Sequence, residues 1–332
     1  MYFLIGISLL FAFLFAIDVA ASLTAMLGWR LLANTASRWG ARTRVNVIFL
    51  MRVFPLVAAT IFISAFVLPA FLIYEPTATD ERVGLKLTLI SLVSAFGIVA
   101  AFGRVFAGWW RTRRLIGEWM GLSEPVEIEG VTIPAFRMRH PFPIIAVVGV
   151  LRPRMFVAEQ ILAELDDAEL AASIAHEHGH ISNHDNLKRI AMRVCGDFLV
   201  LPLGKTLDRA WDAAAESAAD EYAARMGGGR CALDLASALI KVGRITPNEK
   251  ALPMPVGAYL LGSEDQPLAE RVDRLLRLAD RADTLGGTAN SMQNSIWLIP
   301  ILAVIATLPM ALNPNLLSAV HTISEELLAA LQ

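Results

Sequence analysis

Hydrophobic residues gather in four long runs that polar residues seldom interrupt. A helix needs about 20 mostly apolar residues to cross the roughly 30 Å hydrocarbon core of a bilayer. No basic residue precedes Arg30, so the first run lacks the basic start of a signal peptide and is expected to be a retained span. The pattern therefore predicts four membrane spans, at Tyr2–Leu27, Val45–Tyr74, Leu85–Trp110 and Ser295–Asn313.

The charges between the runs predict how the spans are oriented. Four arginines and no acid follow the first run, and four arginines lie at the end of the third run and just after it, whereas the connection after the second run is mixed in charge. Because short cytoplasmic loops are enriched in Lys and Arg, the chain is expected to begin and end outside the cell. It then divides into a membrane region with three spans at 1–119, a cytoplasmic domain at 120–294, and a fourth span with a short tail at 295–332.

Two ionisable residues, Asp18 and Arg52, lie within predicted spans. Such residues are costly in lipid and are functional candidates by default. A simpler alternative is that Arg52 extends its charge to the nearby membrane surface while Asp18 hydrogen-bonds a neighbouring helix. The sequence leaves both readings open.

Composition supports a membrane protein and excludes some partners. Of 332 residues, 55% are hydrophobic and 18% are charged, and the net charge is −2. The chain therefore has no basic surplus for binding nucleic acid. Cys195 and Cys231 make no disulfide framework, which agrees with a reducing compartment for the soluble part.

The predicted cytoplasmic domain begins with strand patterns and continues as helix. The runs Val126–Met138 and Pro143–Val157 each predict a strand pair, the first around Gly130 and the second around Pro153, which suits a turn or an edge. Asp166 with Glu169 three residues later predicts a capping box at the start of a helix. An exposed strand edge before this helix could bind an extended peptide through main-chain hydrogen bonds.

That helix carries four of the six histidines, and His176-Glu177-His178-Gly179-His180 contains the pattern H-E-x-x-H. Residues four apart share one helix face, so His176 and His180 could each give a nitrogen to one zinc ion. Glu177 is placed to act as a general base toward a water molecule there. The alternative is a polar helix end with surface histidines. His178 is expected to pack, and His184 to lie at the helix end.

A catalytic zinc site has a third protein ligand. In the Ala-rich run Trp211–Met226, Glu216 and Asp220 are four apart, so Glu216 could complete the ligand set. Asp220 could then hydrogen-bond the far ring nitrogen of a ligating histidine. These acids could also simply form a solvated face.

Together these segments resemble membrane-bound gluzincin metallopeptidases. The stretch Leu165–Asn186 is similar to their active-site helix, Glu216 and Asp220 match their third-ligand helix, and Gln266–Asp280 is similar to their closing Arg-containing helix. The span layout is closer to the BlaR/MecR-type antirepressor peptidases, and the HtpX/Ste24-type membrane proteases, which include the CAAX prenyl proteases, are related. The resemblance covers about Pro141 to Asp280.

The resemblance implies an α-helical membrane protein with an α+β gluzincin-type zinc metalloprotease domain. One Zn²⁺ per chain would be held by His176, His180 and Glu216, with Glu177 as base and Asp220 as orienting residue. The expected activity is hydrolysis of a protein or peptide substrate, such as a repressor or a membrane protein, at or near the cytoplasmic membrane face. The tail after Asn313 is too short for the sensor domain of the antirepressor receptors.

Two other classes of function compete with a peptidase. A non-catalytic signalling or scaffold protein could retain the fold, but a structural zinc would not need Glu177. A transporter would place its chemistry within the spans, where this chain has few polar residues.

Overall fold

The computed structural model describes residues 2–76, 84–150, 152–196, 204–246, 268–285, 305–307 and 309–331. Most of the predicted fourth span, Ser295–Asn313, lies outside the described residues. So do Leu151 in the predicted strand turn and most of the mixed-charge connection after the second span.

Long helices occupy the first three predicted spans. They are α1 (Tyr2–Ala36), α2 (Ala41–Phe62) with α3 (Leu68–Tyr74), and α4 (Leu85–Gly121). A five-residue π-helical segment, Ile63–Val67, joins α2 to α3 without a break. Among the described residues these three helical stretches are long and apolar enough to cross a membrane, with mean hydropathies of 2.5, 2.5 and 2.1. The chain is therefore integrated in a membrane, and each helix extends beyond its predicted apolar run.

The two ends of this bundle pack against different partners. At one end the last helix, α10 (Pro314–Leu331), covers the beginning of α1, α3 and the start of α4 through an apolar cluster that includes Leu9, Phe71 and Leu317. At the other end, Ile48 of α2 packs with Trp211 of the strands and helices that follow the third span, which we call the soluble domain (described residues between 120 and 285). Helix α10 and the soluble domain therefore lie at opposite ends of the bundle. Which end faces the cytoplasm stays a prediction.

Arg52 forms an ion pair with Asp208, which follows the start of the helix at Lys205. Its Nε donates to Asp208 Oδ1 over 2.6 Å, and only 9% of the residue is exposed. The guanidinium lies so close to Gly196 and Gly204 that a Cβ on either would overlap it. Asp18 is buried nearby, and its Oδ1 has no hydrogen-bond partner within the described ranges. The ion pair joins the second span to the helix that begins at Lys205.

Four short strands form the sheet of the soluble domain: β1 (Ser123–Pro125), β2 (Ala135–Met138), β3 (Ile145–Val148) and β4 (Arg154–Ala158). Their order is β1-β2-β4-β3, with β2 and β4 parallel and the other pairs antiparallel. The predicted pair around Pro153 is confirmed. The first pair is formed, but its leading strand ends at Pro125, so the prediction of a strand from Val126 was wrong. The last ladder contact there is Val126 N to Ala135 O, after which the chain turns away.

In the described part of the domain the sheet is followed by five helices: α5 (Glu159–Glu164), α6 (Asp167–Ser182), α7 (Asp185–Gly196), α8 (Lys205–Ile245) and α9 (Leu268–Leu285). The predicted capping box is confirmed, since Asp166 and Glu169 exchange both hydrogen bonds. Glu169 also accepts from Ser237 and Lys241 over 2.7 Å each, which ties the start of α6 to the far half of α8. Helix α8 is interrupted at Gly228, where φ is 71°. The core combines the sheet with the inner faces of α6, α8 and α9.

Candidate metal centre

Two imidazoles stand side by side on α6, each oriented by a carboxylate. The ring centroids of His176 and His180 are 4.9 Å apart. His176 Nδ1 lies 2.9 Å from Asp220 Oδ1, and His180 Nδ1 lies 2.7 Å from Asp185 Oδ2. Because the carboxylates engage both Nδ1 atoms, the two Nε2 atoms could bind one metal ion at a common point. Nη2 of Arg271, on α9, also lies 3.1 Å from His176 Nε2. The partner of Asp185, at the start of α7, is thus one of the candidate ligands.

Glu216 of α8 lies opposite that point. Its Oε2 is 3.6 Å from His176 Nε2, and its Oε1 is 3.7 Å from His180 Nε2. Two donors bound tetrahedrally to one zinc ion at about 2.0–2.2 Å are roughly 3.3–3.5 Å apart. The three side chains each offer one donor atom within 4.8 Å of the others, so they could hold a metal ion with little movement.

Gly179 allows α6 and α8 to approach closely enough for this convergence. A methyl group on Gly179 would lie 2.8 Å from Ala219 Cα and 3.2 Å from Ala219 Cβ. The main chain of α8, and not a flexible side chain, would have to move. Further along α8, Ala223 and Ala224 belong to the same buried cluster as Ala172 and Ile174 of α6. The glycine inside the histidine motif therefore sets the distance between the two ligand-bearing helices.

Replacing Gly179 with alanine is expected to push α6 away from α8 and to lower the zinc affinity of the site. Overpacking of this kind typically costs about 1–3 kcal/mol of folding free energy. The measurements are zinc content after dialysis and the thermal unfolding midpoint in detergent. Gly117→Ala is the matched control, because a Cβ there meets no described atom within 4 Å. Full zinc content and an unchanged midpoint for Gly179→Ala would contradict the argument.

Glu177 is buried beside the candidate ligands and touches the sheet. It is 2% exposed, and its Oε2 accepts a hydrogen bond from Val147 N on β3 over 3.3 Å. Burial raises the pKa of Glu177, and the neighbouring His180 and His176 act in the opposite direction. The main chain of β3 thus holds the carboxylate next to the point that the three candidate ligands share.

Arg271 of α9 completes the site, and sequence reasoning did not single it out. It is 1% exposed, its Nη2 donates to Asp220 Oδ1 over 2.9 Å, and its Nη1 lies 3.1 Å from Glu216 Oε2. A signal was present in the sequence, because Arg271 interrupts the apolar stripe of Leu268, Leu275 and Leu278. An arginine in a buried stripe requires buried acids as partners.

The charge of Arg271 determines the ionisation of the acids that it contacts. Burial alone would raise the pKa of Asp220, but the guanidinium and the hydrogen bond with His176 hold that pKa well below its usual range. The same balance lowers the pKa of Glu216 to about 2. Burial and Arg271 oppose protonation of His176, yet its hydrogen bonds with Asp220 and Glu216 raise its pKa to about 9. Metal binding would displace that proton, since a ligating imidazole is neutral.

The other two histidines of the motif region stand apart from the ligand atoms. His178 is half-buried, and its Nε2 has no hydrogen-bond partner among the residues described. His184 lies between α6 and α7 with a positive φ of 56°, and its carbonyl oxygen accepts from Lys188 N. Their placements agree with the expectation that one packs and the other marks the helix end.

Comparison with known proteins supports one family over part of the chain. Residues 146–207 match the model of Peptidase family M48. This stretch contains His176, Glu177 and His180 and ends before Glu216 and Asp220. Neither a curated protein nor a solved structure matches the chain. The choice between the two peptidase types named above stays a prediction. The match, together with the apolar helices, supports a membrane-associated zinc metallopeptidase of the M48 type.

Proposed function

We propose that this chain is an integral-membrane zinc-dependent endopeptidase that hydrolyses peptide bonds of a protein substrate at the cytoplasmic face of the membrane. The proposal rests mainly on one observation. The donor atoms of His176, His180 and Glu216 lie within 4.8 Å of one another, next to the buried carboxylate of Glu177.

The four side chains divide the chemistry between them. His176 and His180, through Nε2, and Glu216, through a carboxylate oxygen, would hold Zn²⁺. When bound, zinc supplies Lewis acidity that polarises water and the substrate carbonyl. Glu177 accepts a proton from the attacking water as its oxygen bonds to the carbonyl carbon. Glu177 then passes this proton to the amine nitrogen as the C–N bond breaks, so protons and electron pairs balance. The hydrogen bond from Val147 N keeps the Glu177 carboxylate in place between these two steps.

The substrate would bind as an extra strand along β3. This strand lies at the edge of the sheet, and Val147 on it contacts Glu177. Asn186 Nδ2 donates to the carbonyls of Val147 and Gly149 over 3.2 Å each. A substrate main chain offers similar N–H donors to those oxygens, so it could replace the Asn186 amide as it binds. The peptide would then cross in front of Glu177.

The position of the domain supports a substrate at or near the membrane. The soluble helices pack directly against α1 and α2, and Arg52 of α2 is paired with Asp208, two turns before Glu216 on α8. The arginines after the first and third spans favour the cytoplasm for this side. The site would therefore meet polypeptide that emerges at the inner membrane surface.

The test is to measure bound zinc and cleavage of an unfolded membrane-protein substrate by the full chain in mild detergent. Glu216→Ala is expected to bind one equivalent of zinc less than the wild type and to lose activity, because only two of the three protein ligands remain. Asp234→Ala on the same helix is the control, since its i,i+4 pair with the exposed Arg230 contributes little. Cleavage that survives a chelator, or a Glu216→Ala protein with full zinc and activity, would overturn the assignment of these residues as a catalytic zinc site. A wild type that binds no zinc and cleaves no substrate would favour the non-catalytic scaffold.

A further inference from the structure

A second group of metal-ligand side chains lies at the end of the bundle away from the soluble domain. Glu75 follows α3, while His321 and Glu325 lie on α10. Their donor atoms all lie within 4.8 Å of one another, the same limit that the His176, His180 and Glu216 group satisfies. About 33 Å of helix separates Arg52, near the soluble domain, from Tyr74, beside this group, at about 1.5 Å per residue. The two groups are therefore independent sites.

Local structure presents these three side chains to one another. His321 and Glu325 are four residues apart, so they occupy the same face of α10. Glu75 ends the α3 helix with an extended backbone, φ −73° and ψ 126°. The ring of Tyr74 stacks on the His321 ring with 5.7 Å between centroids, and the Tyr74 hydroxyl donates to Pro314 O over 3.2 Å. Tyr74 thus orients the imidazole and attaches the start of α10 to α3.

The group is partly buried, because Glu75 is buried while His321 and Glu325 are half-buried. Glu75 is 8% exposed. Oε1 of Glu325 is buried, and it has no hydrogen-bond partner within the described part of the chain. Two carboxylates held close together at a partly buried position repel each other, and a cation between them would offset that repulsion.

We propose that Glu75, His321 and Glu325 bind a divalent transition-metal ion, with Zn²⁺ as the best match. One imidazole and two carboxylates favour zinc and its neighbours over calcium or magnesium, which prefer oxygen ligands alone. The ion would link α10 to the end of the second span, so its role would be structural. This second ion is additional to the one in the proposed peptidase site and does not depend on that site being catalytic.

The test measures zinc per chain in the full-length protein, purified in detergent with an affinity tag that lacks histidine. After equilibration with micromolar ZnCl₂, bound zinc is determined by mass spectrometry. The wild type is expected to hold two equivalents, His321→Ala and Glu325→Gln one each, and His176→Ala one. Glu326→Gln is the matched control, because Glu326 is the exposed neighbour of Glu325 and is expected to leave both equivalents bound.

The variants separate this proposal from the proposed function. His176→Ala with no bound zinc would overturn the second site, and this readout does not depend on the folding of any α10 variant. His321→Ala with as much zinc as the wild type would overturn it as well. Failure of the peptidase proposal instead appears as a His176→Ala protein that binds as much zinc as the wild type. Peptidase activity of His321→Ala is expected to remain, since the two groups are far apart.

Discussion

Replacing Glu177 with glutamine is expected to lower kcat for peptide hydrolysis by about 10²–10⁴-fold, the usual contribution of a positioned general base. Glutamine has nearly the same shape and can still accept the hydrogen bond from Val147 N through its amide oxygen. It cannot accept a proton from water at neutral pH. The zinc content and the unfolding midpoint should therefore stay close to those of the wild type, so that the loss is confined to the chemical step.

The control for Glu177→Gln is Glu164→Gln, at an exposed glutamate on α5. It should leave kcat unchanged. KM is informative as well, because removing a group that acts only in the transition state lowers kcat and kcat/KM equally. If Glu177→Gln cleaved the substrate at the wild-type rate, Glu177 would not be the base. If it lost zinc, its main role would be to maintain the ligand geometry.

Replacing Arg271 with methionine is expected to destabilise the protein by about 3–5 kcal/mol, the cost of removing one partner from a buried ion pair. Methionine is close to arginine in length but carries no charge. Asp220 and Glu216, which are 0% and 4% exposed, would then lose the cation that both of them contact. Arg274 also contacts Asp220, over 2.6 Å, and would offset part of the loss there. The measurement is chemical denaturation in detergent, followed by tryptophan fluorescence.

Two further variants test the reason for this effect. Arg277→Met alters an exposed arginine on the same helix and should change the stability little. Arg271→Lys keeps the charge, but the lysine ammonium lacks the planar guanidinium that contacts Asp220 and Glu216 together. Its stability should therefore lie between those of Arg271→Met and the wild type. Equal stability of Arg271→Met and the wild type would show that the buried carboxylates do not require this cation.

Local features of the chain are visible in its sequence because they depend on near neighbours. The length of the apolar runs identified three spans that occur as helices, and the spacing of Asp166 and Glu169 identified the start of α6. The helical period placed His176 with His180, and Glu216 with Asp220, on shared faces. Each of these inferences needs only residues within a few positions of one another, for which helix geometry is known in advance.

The arrangement of those faces was decided by the tertiary structure. Arg271 meets His176 across 95 positions of sequence, and Arg52 meets Asp208 across 156. Hydrophobic periodicity shows which side of a helix is buried, but it does not show which other helix covers that side. The strand order β1-β2-β4-β3 also depends on pairing between separate hairpins. The sequence by itself thus determined the candidate ligands and their helices. Only the packing of α6 on α8 at Gly179, and of α9 on α8, brings the ligands and their charged partners to one point.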